Sequence, residues 1–188
     1  MRREELVAET AITLLVERGM RGLTHRAVDE AAGLPPGSTS NVARTRAALL
    51  DLTLARLTML EEAAFPAFSA GDNLEAGRLA ELTAGFLHFQ LTEGRRTSLA
   101  RYELALEATR RPELRKVYDE IGRRFREAAI AVLASAGSAD PVRHGGQLVA
   151  FAEGVIFDAL VGAGTTPTLD ELRSSMHEVV NGMLSGSP

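Results

Sequence analysis

The chain contains no cysteine and only small numbers of histidine and aromatic residues. Its 188 residues include four histidines, two tyrosines, seven phenylalanines and no tryptophan. Without cysteine there is no disulfide framework, no thiolate nucleophile and no cysteine-based zinc site. The histidines (His25, His88, His144 and His177) are scattered and form no His-Glu-x-x-His pair. We therefore predict no catalytic residue, no metal site and no cofactor.

Long apolar runs and phosphate-binding motifs are also missing. No uncharged apolar stretch approaches the roughly 20 residues that a membrane-spanning helix needs. Residues 2–5 are all charged, and the apolar stretch of a secretory signal does not follow them. We find neither a glycine-rich phosphate loop nor a Gly-x-Ser-x-Gly elbow. These absences favour a soluble, cytoplasmic binding protein over an enzyme.

Apolar residues recur at helical spacing, and no stretch alternates as a β-strand does. The sequence predicts an all-α fold of about nine helices. Gly19 should end the first helix, Pro66 the long fourth helix, and residues 69–73 and 185–188 should be a loop and a disordered tail. Outside the short pair considered next, the predicted helices are Arg2–Arg18, Arg46–Phe65, Leu74–Thr92, Arg95–Thr109, Pro112–Ser135, Pro141–Gly164 and Thr168–Leu184.

Residues 23–46 are predicted to form two short helices joined by a tight turn. Thr24 is a good N-cap, because its hydroxyl can accept a free N–H of the first turn. Val28 can pack against the residue that precedes this cap, as in a hydrophobic staple. Gly33 suits the left-handed position that ends a helix, and Pro36 suits the first turn of the second helix. This arrangement is typical of a helix-turn-helix.

The second short helix is rich in small polar residues that form helices poorly. Such a helix suits a DNA major groove, where Thr39 and Asn41 would read base edges and Arg46 would contact phosphate. The alternative is a plain helical hairpin with no role in nucleic-acid binding. The predicted DNA contacts are Thr24, His25, Arg26, Pro36, Gly37, Ser38, Thr39, Ser40, Asn41, Arg44 and Arg46.

The charge distribution is compatible with local DNA binding. The net charge is −4, but basic and acidic residues nearly balance before Ala47, so the acidic surplus lies in the rest of the chain. Basic residues cluster in the predicted reading segment. A local positive footprint on an acidic protein predicts modest, salt-sensitive affinity for DNA. Arg2 and Arg3 either add phosphate contacts or form a solvated tail.

Several short motifs follow one another in a fixed order between about Leu6 and Leu50. They are Ala11–Leu15, Gly19, Gly22–Thr24, Ala27–Val28, Ala31–Leu34, the run to Asn41, Arg44–Arg46 and Ala48–Leu50. With these motifs the chain resembles the DNA-binding domain of the TetR (tetracycline-repressor-like) family. The resemblance implies a homodimeric transcriptional regulator, a repressor released from a palindromic double-stranded DNA operator by a small-molecule effector. It also implies a DNA-binding domain at 1–46 and an effector-binding and dimerisation domain at 47–188.

One departure from the family pattern follows Asn41. The family usually carries a tyrosine that touches backbone phosphate and a phenylalanine that packs the domain, whereas this chain has Val42 and Ala43. The resemblance then implies a lost phosphate contact and lower operator affinity. The alternative function is a helical ligand-binding protein whose DNA binding is weakened or lost.

The last two helices are predicted to form the dimer interface as a four-helix bundle, which the resemblance also implies. Gly146, Ala150 and Gly154 would allow close helix approach. The alternative is that the apolar stripes of these helices form a core within one chain. The predicted interface residues are Val155, Ile156, Ala159, Leu172, Met176, Val179, Val180 and Met183.

Most aromatic residues fall in the middle helices, where an apolar effector pocket with a few polar groups is expected. Phenylalanines at helical spacing are more often plain core, and this alternative stays open. The predicted pocket residues are Phe86, His88, Phe89, Tyr102, Glu103, Phe125 and Phe151.

Overall fold

The computed structural model describes residues 2–64 and 75–185, and these residues form nine α-helices and no β-strand. Within these ranges no helix is long and apolar enough to cross a membrane. The all-α prediction is confirmed. The helices are α1 (Arg3–Gly22), α2 (His25–Ala31), α3 (Ser38–Val42), α4 (Arg46–Ala64), α5 (Ala76–Leu91), α6 (Arg95–Ala108), α7 (Pro112–Ser135), α8 (Pro141–Leu160) and α9 (Leu169–Ser185).

Most predicted helix limits lie within two residues of the observed ones, and those of α7 coincide. The prediction that α8 continues to Gly164 is wrong, because the helix ends at Leu160. The N–H of Gly162 turns back to the carbonyl of Phe157, and a side chain at Gly162 would collide with Asp158. The predicted end at Phe65–Pro66, the loop at 69–73 and the tail after Ser185 lie outside the described residues.

The first helix is interrupted at Gly19, where the sequence predicted its end. Gly19 has a φ of 64°, a left-handed conformation that glycine adopts without the penalty a β-carbon brings. A final helical turn to Gly22 follows this break. Glu103 of α6 lies against the break, and its carboxylate accepts a hydrogen bond from the N–H of Met20 at 3.3 Å.

The first of two compact units comprises the described residues of 1–63 and 96–121. It therefore contains α1–α4, almost all of α6 and the first part of α7. One apolar core runs through these helices, so the helix-turn-helix shares its packing with α4, α6 and α7. Its fully or almost fully buried members are Val7, Ala11, Ile12, Leu14, Leu15, Leu23, Val28, Ala43, Leu49, Leu50, Leu54, Leu57, Ala100, Leu104, Ala108 and Leu114.

The second unit comprises the described residues of 64–95 and 122–188, and its main internal packing is between α5 and α9. α8 packs against both of these helices. Four residues that the sequence placed in the dimer interface are buried within this one chain: Ile156, Leu172, Met176 and Val180. Their assignment to the interface is wrong. They belong to the intrachain core that the sequence left open as the alternative.

Candidate nucleic-acid interface

The first short helix, α2, begins and ends as predicted. The hydroxyl of Thr24 accepts a hydrogen bond from the N–H of Ala27 at 3.1 Å, which confirms the N-cap. Gly33 ends the helix with a φ of 64°. The N–H of Leu34 then donates to the carbonyl of Asp29 at 2.8 Å. Both ends of α2 therefore have hydrogen-bond partners, which fixes where the chain leaves it.

The turn into α3 differs from the prediction. Pro36 lies in the turn and not in the first helical turn, because α3 begins only at Ser38. Gly37 is the N-cap with a φ of 86°, which favours glycine, and it has no side chain with which to cap the helix. α3 is only five residues long. So short a helix depends on contacts from the surrounding structure.

Asp29 of α2 supplies the missing cap. Its carboxylate accepts hydrogen bonds from the N–H of Gly37, the N–H of Thr39 and the hydroxyl of Thr39, at 2.7, 2.7 and 2.6 Å. The side chain is only 5% exposed. Burial alone would raise the pKa of Asp29, but the hydrogen bonds from Thr39 and Gly37 outweigh burial and hold the pKa below its usual value. The buried group is therefore a carboxylate with three donors.

These contacts correct the roles predicted for two hydroxyls. Thr39 is 0% exposed and its hydroxyl already donates to Asp29, so in this structure it does not present itself to a base edge. Ser38 is buried as well. A helix of five residues is too short for periodicity to show which of its faces points inward.

His25 and Arg46 also form hydrogen bonds within the domain. His25 Nε2 donates to the carbonyl of Ala43 at 2.7 Å, just after α3 ends. The guanidinium of Arg46 donates to the carbonyls of Leu23 and Met20, the latter at 2.7 Å. Arg46 thus joins the start of α4 to the end of α1. Both side chains, which the sequence predicted as DNA contacts, are therefore hydrogen-bonded to backbone carbonyls of the domain in this structure.

The remaining predicted contacts form the exposed part of this helix pair. Asn41 and Ser40 offer an amide and a hydroxyl on α3, while Arg26 lies in the first turn of α2 and Arg44 follows α3. These groups match the donors and acceptors that contact base edges and phosphates. The exposed members are Thr24, Arg26, Pro36, Gly37, Ser40, Asn41 and Arg44.

Val42 and Ala43 occupy the positions where the resembled family carries aromatics. Ala43 is 2% exposed and belongs to the apolar core, whereas Val42 is half-buried and packs against the same core. Neither side chain has a hydroxyl or an amide. A phosphate contact like that of the family's tyrosine therefore cannot come from either position.

Asp29 is the functional residue that the sequence reasoning missed. Two features of the sequence could have indicated this role. An acidic residue directly follows the buried Val28, and the N-cap of α3, Gly37, has no side chain with which to cap that helix. A buried acid in that place needs hydrogen-bond donors, and a neighbouring helix N-terminus provides them.

The predicted pocket residues fall into both compact units. Tyr102 and Glu103 belong to the first unit, where the Arg101 guanidinium lies 4.9 Å from the centroid of the Tyr102 ring. The Glu103 carboxylate binds the N–H of Met20, so its predicted role as a pocket anchor needs correction. The other five are half-buried in the second unit: Phe86, His88, Phe89, Phe125 and Phe151.

The predicted dimer residues that are not buried in the chain lie on α8 and α9. Val155, Ala159, Val179 and Met183 are all half-buried. The sequence reasoning did not include Phe157 and Val161, which are 49% and 48% exposed at the end of α8. The signal for these two was their spacing of four residues, which places both on one face of the helix.

Comparison with known proteins gives three close likenesses in fold. A transcriptional regulator from Rhodococcus sp. Rha1 superposes with a TM-score of 0.82 at 20% identity, covering 98% of this chain and 99% of that chain. A member of the TetR family from Streptomyces coelicolor A3 gives 0.75 at 26% identity, covering 95% and 98%. The multidrug binding protein EbrR, complexed with ethidium, gives 0.72 at 26% identity, also covering 95% and 98%.

A search of the curated proteins finds no match. A sequence model of the tetracyclin repressor-like C-terminal domain matches residues 74–186, which is more than half of the chain. The match covers the second half, whereas the resemblance seen in the sequence covers the first. The chain belongs to the TetR family of transcriptional regulators.

Proposed function

We propose that this protein is a homodimeric regulator that binds a palindromic operator through α2 and α3 and represses transcription until a small-molecule effector releases it. The observation that carries the proposal is the exposed polar surface of the helix pair, built from Ser40, Asn41, Arg26 and Arg44. Ser40 and Asn41 lie on α3, whose two ends are hydrogen-bonded to α2. Arg26 lies on α2, and Arg44 follows α3 in the chain. Rigid presentation of polar side chains is what groove recognition needs.

The direct test is binding to a duplex from the promoter of the protein's own gene. Fluorescence anisotropy at several salt concentrations should show saturable binding that weakens as salt rises, because phosphate contacts release counterions. Arg44→Ala should lower affinity and reduce the salt dependence by about one unit of slope. The matched control is Arg78→Ala, which removes an exposed arginine from α5 in the second unit.

Two results would contradict the proposal. If Arg44→Ala and Arg78→Ala lower the affinity for the duplex equally, the loss reflects total charge, and α3 does not form the interface. Absence of binding at low salt, even after Val42→Tyr restores the family's tyrosine, would contradict DNA binding at this promoter.

The dimer is proposed to form through the outer faces of α8 and α9. On α8 the exposed residues recur along one side at Ala150, Gly154, Phe157 and Val161. A β-carbon at Gly154 would meet no atom within 4 Å, so space for close helix approach exists there. A two-fold dimer would place the helix-turn-helix of each subunit roughly 34–36 Å from its symmetry mate, which is one turn of DNA.

The effector is proposed to bind among the half-buried aromatic residues of the second unit. EbrR, a structural neighbour over nearly its whole length, is a multidrug binding protein seen with ethidium. Ethidium is therefore the first probe, titrated against the protein alone by its fluorescence. Phe89→Ala should weaken binding, whereas Phe157→Ala, an exposed phenylalanine on the proposed dimer face, should not. If the two variants bind ethidium with equal affinity, Phe89 does not belong to the effector site.

The second candidate function is a ligand-binding protein that has lost strong DNA binding. Val42 and Ala43 favour it, because neither residue supplies a phosphate-binding hydroxyl. Ethidium binding without promoter binding would support this candidate. Saturable binding of the promoter duplex would support the regulator.

A further inference from the structure

α3 is held at both of its ends by one face of α2. Asp29 accepts from Gly37 and Thr39 at the beginning of α3, and His25 donates to the carbonyl of Ala43 just beyond its end. His25 and Asp29 are four residues apart, so they project from the same face of a helix. Five residues cannot form a stable helix alone, and these bonds replace what α3 lacks in length.

We propose that His25 and Asp29 form a two-point clamp that positions α3, and that Thr39 is the inward anchor of that clamp. Base readout by α3 is then restricted to Ser40 and Asn41, the exposed polar residues of the helix. The inference rests on the proposed DNA-binding function and adds the residues that fix the reading geometry. None of the three clamp residues is assigned a DNA contact.

The hydrogen-bond chemistry explains why an acid is required at position 29. Its two carboxylate oxygens receive three donors, and every donor belongs to Gly37 or Thr39. Asparagine has one acceptor oxygen, and its NH₂ group would face an N–H that also donates. Leaving a buried N–H unpaired is costly, so Asp29→Asn should loosen the start of α3.

α3 adds little apolar surface to the core of the first unit. Of its five residues only Val42 packs against that core, and the two buried residues Ser38 and Thr39 are polar. Loss of the clamp should therefore change α3 more than it changes global stability. A side chain that only stabilised the domain would lower DNA affinity for every sequence equally.

The test uses the full-length protein with a pool of random-sequence duplexes. Wild type, Asp29→Asn and the control Glu30→Gln are each put through selection, and affinity is then measured for the sequence that wild type prefers. Glu30 is an exposed acid next to Asp29 on the same helix. Asp29→Asn should lose about tenfold in affinity for the preferred duplex and select a broader set of sequences, while Glu30→Gln should match wild type.

Two substitutions of Thr39 provide a second test of the clamp. Thr39→Ser keeps the hydroxyl and should retain wild-type preference, whereas Thr39→Val keeps the shape and should behave like Asp29→Asn. If Thr39→Val preserves both affinity and preference, the clamp does not position α3. If the variants lose affinity equally for all sequences, the role is only structural.

A measurement without DNA separates failure of the clamp from failure of the proposed function. Amide hydrogen exchange by NMR should be faster at Gly37 and Thr39 in Asp29→Asn, with α1 and α4 unchanged. Wild type that binds no duplex, together with this local increase, would refute DNA binding and leave the clamp standing. Unchanged exchange at both amides would overturn the clamp.

Discussion

At the scale of single residues, burial and hydrogen bonding act on the pKa of Asp29 in opposite directions. It is a buried acid, and its hydrogen-bond donors are two backbone N–H groups and a hydroxyl. A carboxylate is costly to bury, so those bonds must be retained for the charge to be tolerated. They also lower the pKa of Asp29 against the effect of burial.

The lowered pKa predicts a pH dependence of folding stability. An acid with a depressed folded-state pKa stabilises the protein fully above its unfolded pKa of about 3.9, and this contribution is lost as pH falls through the folded value. The melting temperature of wild type should therefore exceed that of Asp29→Asn most clearly at pH 6–7, about two pH units above the unfolded-state pKa. The gap should narrow as pH falls below about 4.

Glu30→Gln is the control for this pH series, because it changes an exposed carboxyl on the same helix. Its melting temperature should follow that of wild type across the whole range. A constant gap between wild type and Asp29→Asn down to acidic pH would show that the Asp29 carboxylate contributes nothing through its charge.

At the scale of secondary-structure elements, a second carboxylate joins three helices of the first unit. Glu9 of α1 accepts from Arg56 of α4 and from Arg96 of α6, each at 2.7 Å. Arg96 also donates to the hydroxyl of Thr13 at 3.0 Å. Burial would raise the pKa of Glu9, but the bonds from Arg96 and Arg56 outweigh it and lower the pKa. The helix-turn-helix is thereby fastened to α6 through α1.

Glu9→Gln should destabilise the protein by about 2 kcal/mol, because charge-assisted hydrogen bonds of this kind contribute roughly 1.5–3 kcal/mol. Urea unfolding at pH 7 measures the loss. Glu17→Gln, at an exposed site on the same helix, should change stability by less than about 0.5 kcal/mol. Similar losses in the two variants would mean that the Glu9 contacts are not stabilising.

The packing of α8 against α7 depends on a glycine. A β-carbon at Gly145 would lie 2.7 Å from Cγ1 of Ile130 and 3.0 Å from its backbone nitrogen. Gly145→Ala should therefore destabilise the protein by about 1–3 kcal/mol, despite the better helix propensity of alanine. The measurement is again urea unfolding at pH 7.

Gly85→Ala on α5 is the matched control, because a β-carbon there would meet nothing within 4 Å. It should stabilise the protein by up to about 1 kcal/mol. If Gly145→Ala is as stable as this control, α7 and α8 can move apart without any loss in the free energy of unfolding.

Helices and their caps could be predicted from the sequence because their signals are local. Thr24 caps α2 as expected, since a capping hydroxyl and its N–H are three residues apart. Thr45 makes the same contact at the start of α4. The end of α8 was missed because it depends on the carboxylate of Asp158 and the space around Gly162. The roles of Thr39 and Arg46 were missed because their partners lie ten or more residues away in the chain.

At the scale of the whole molecule, sequence alone cannot decide which chain covers an apolar face. The stripe on α9 contains Leu172, Met176 and Val180, and a core within the chain and a dimer interface would both require it. The structure places these residues inside the second unit, with α5 as the main partner of α9. The proposed contact between subunits therefore shifts to the exposed side of α8.

Phe157→Glu tests that surface. A charge on this exposed residue should repel its symmetry mate and convert the protein to a monomer in sedimentation equilibrium. Operator affinity should then fall by about a hundredfold or more, because two linked heads bind far more tightly than one. Val161→Glu, at the C-cap that follows the last residue of α8, should do the same.

Leu106→Glu is the control, because Leu106 is 61% exposed on α6 and lies outside α8 and α9. It should leave both the dimer and operator binding intact. If Phe157→Glu and Val161→Glu remain dimeric while folded, the subunits meet on another face. If both variants are monomeric and bind DNA as tightly as wild type, one head is sufficient, and the palindromic operator proposed for this protein is excluded.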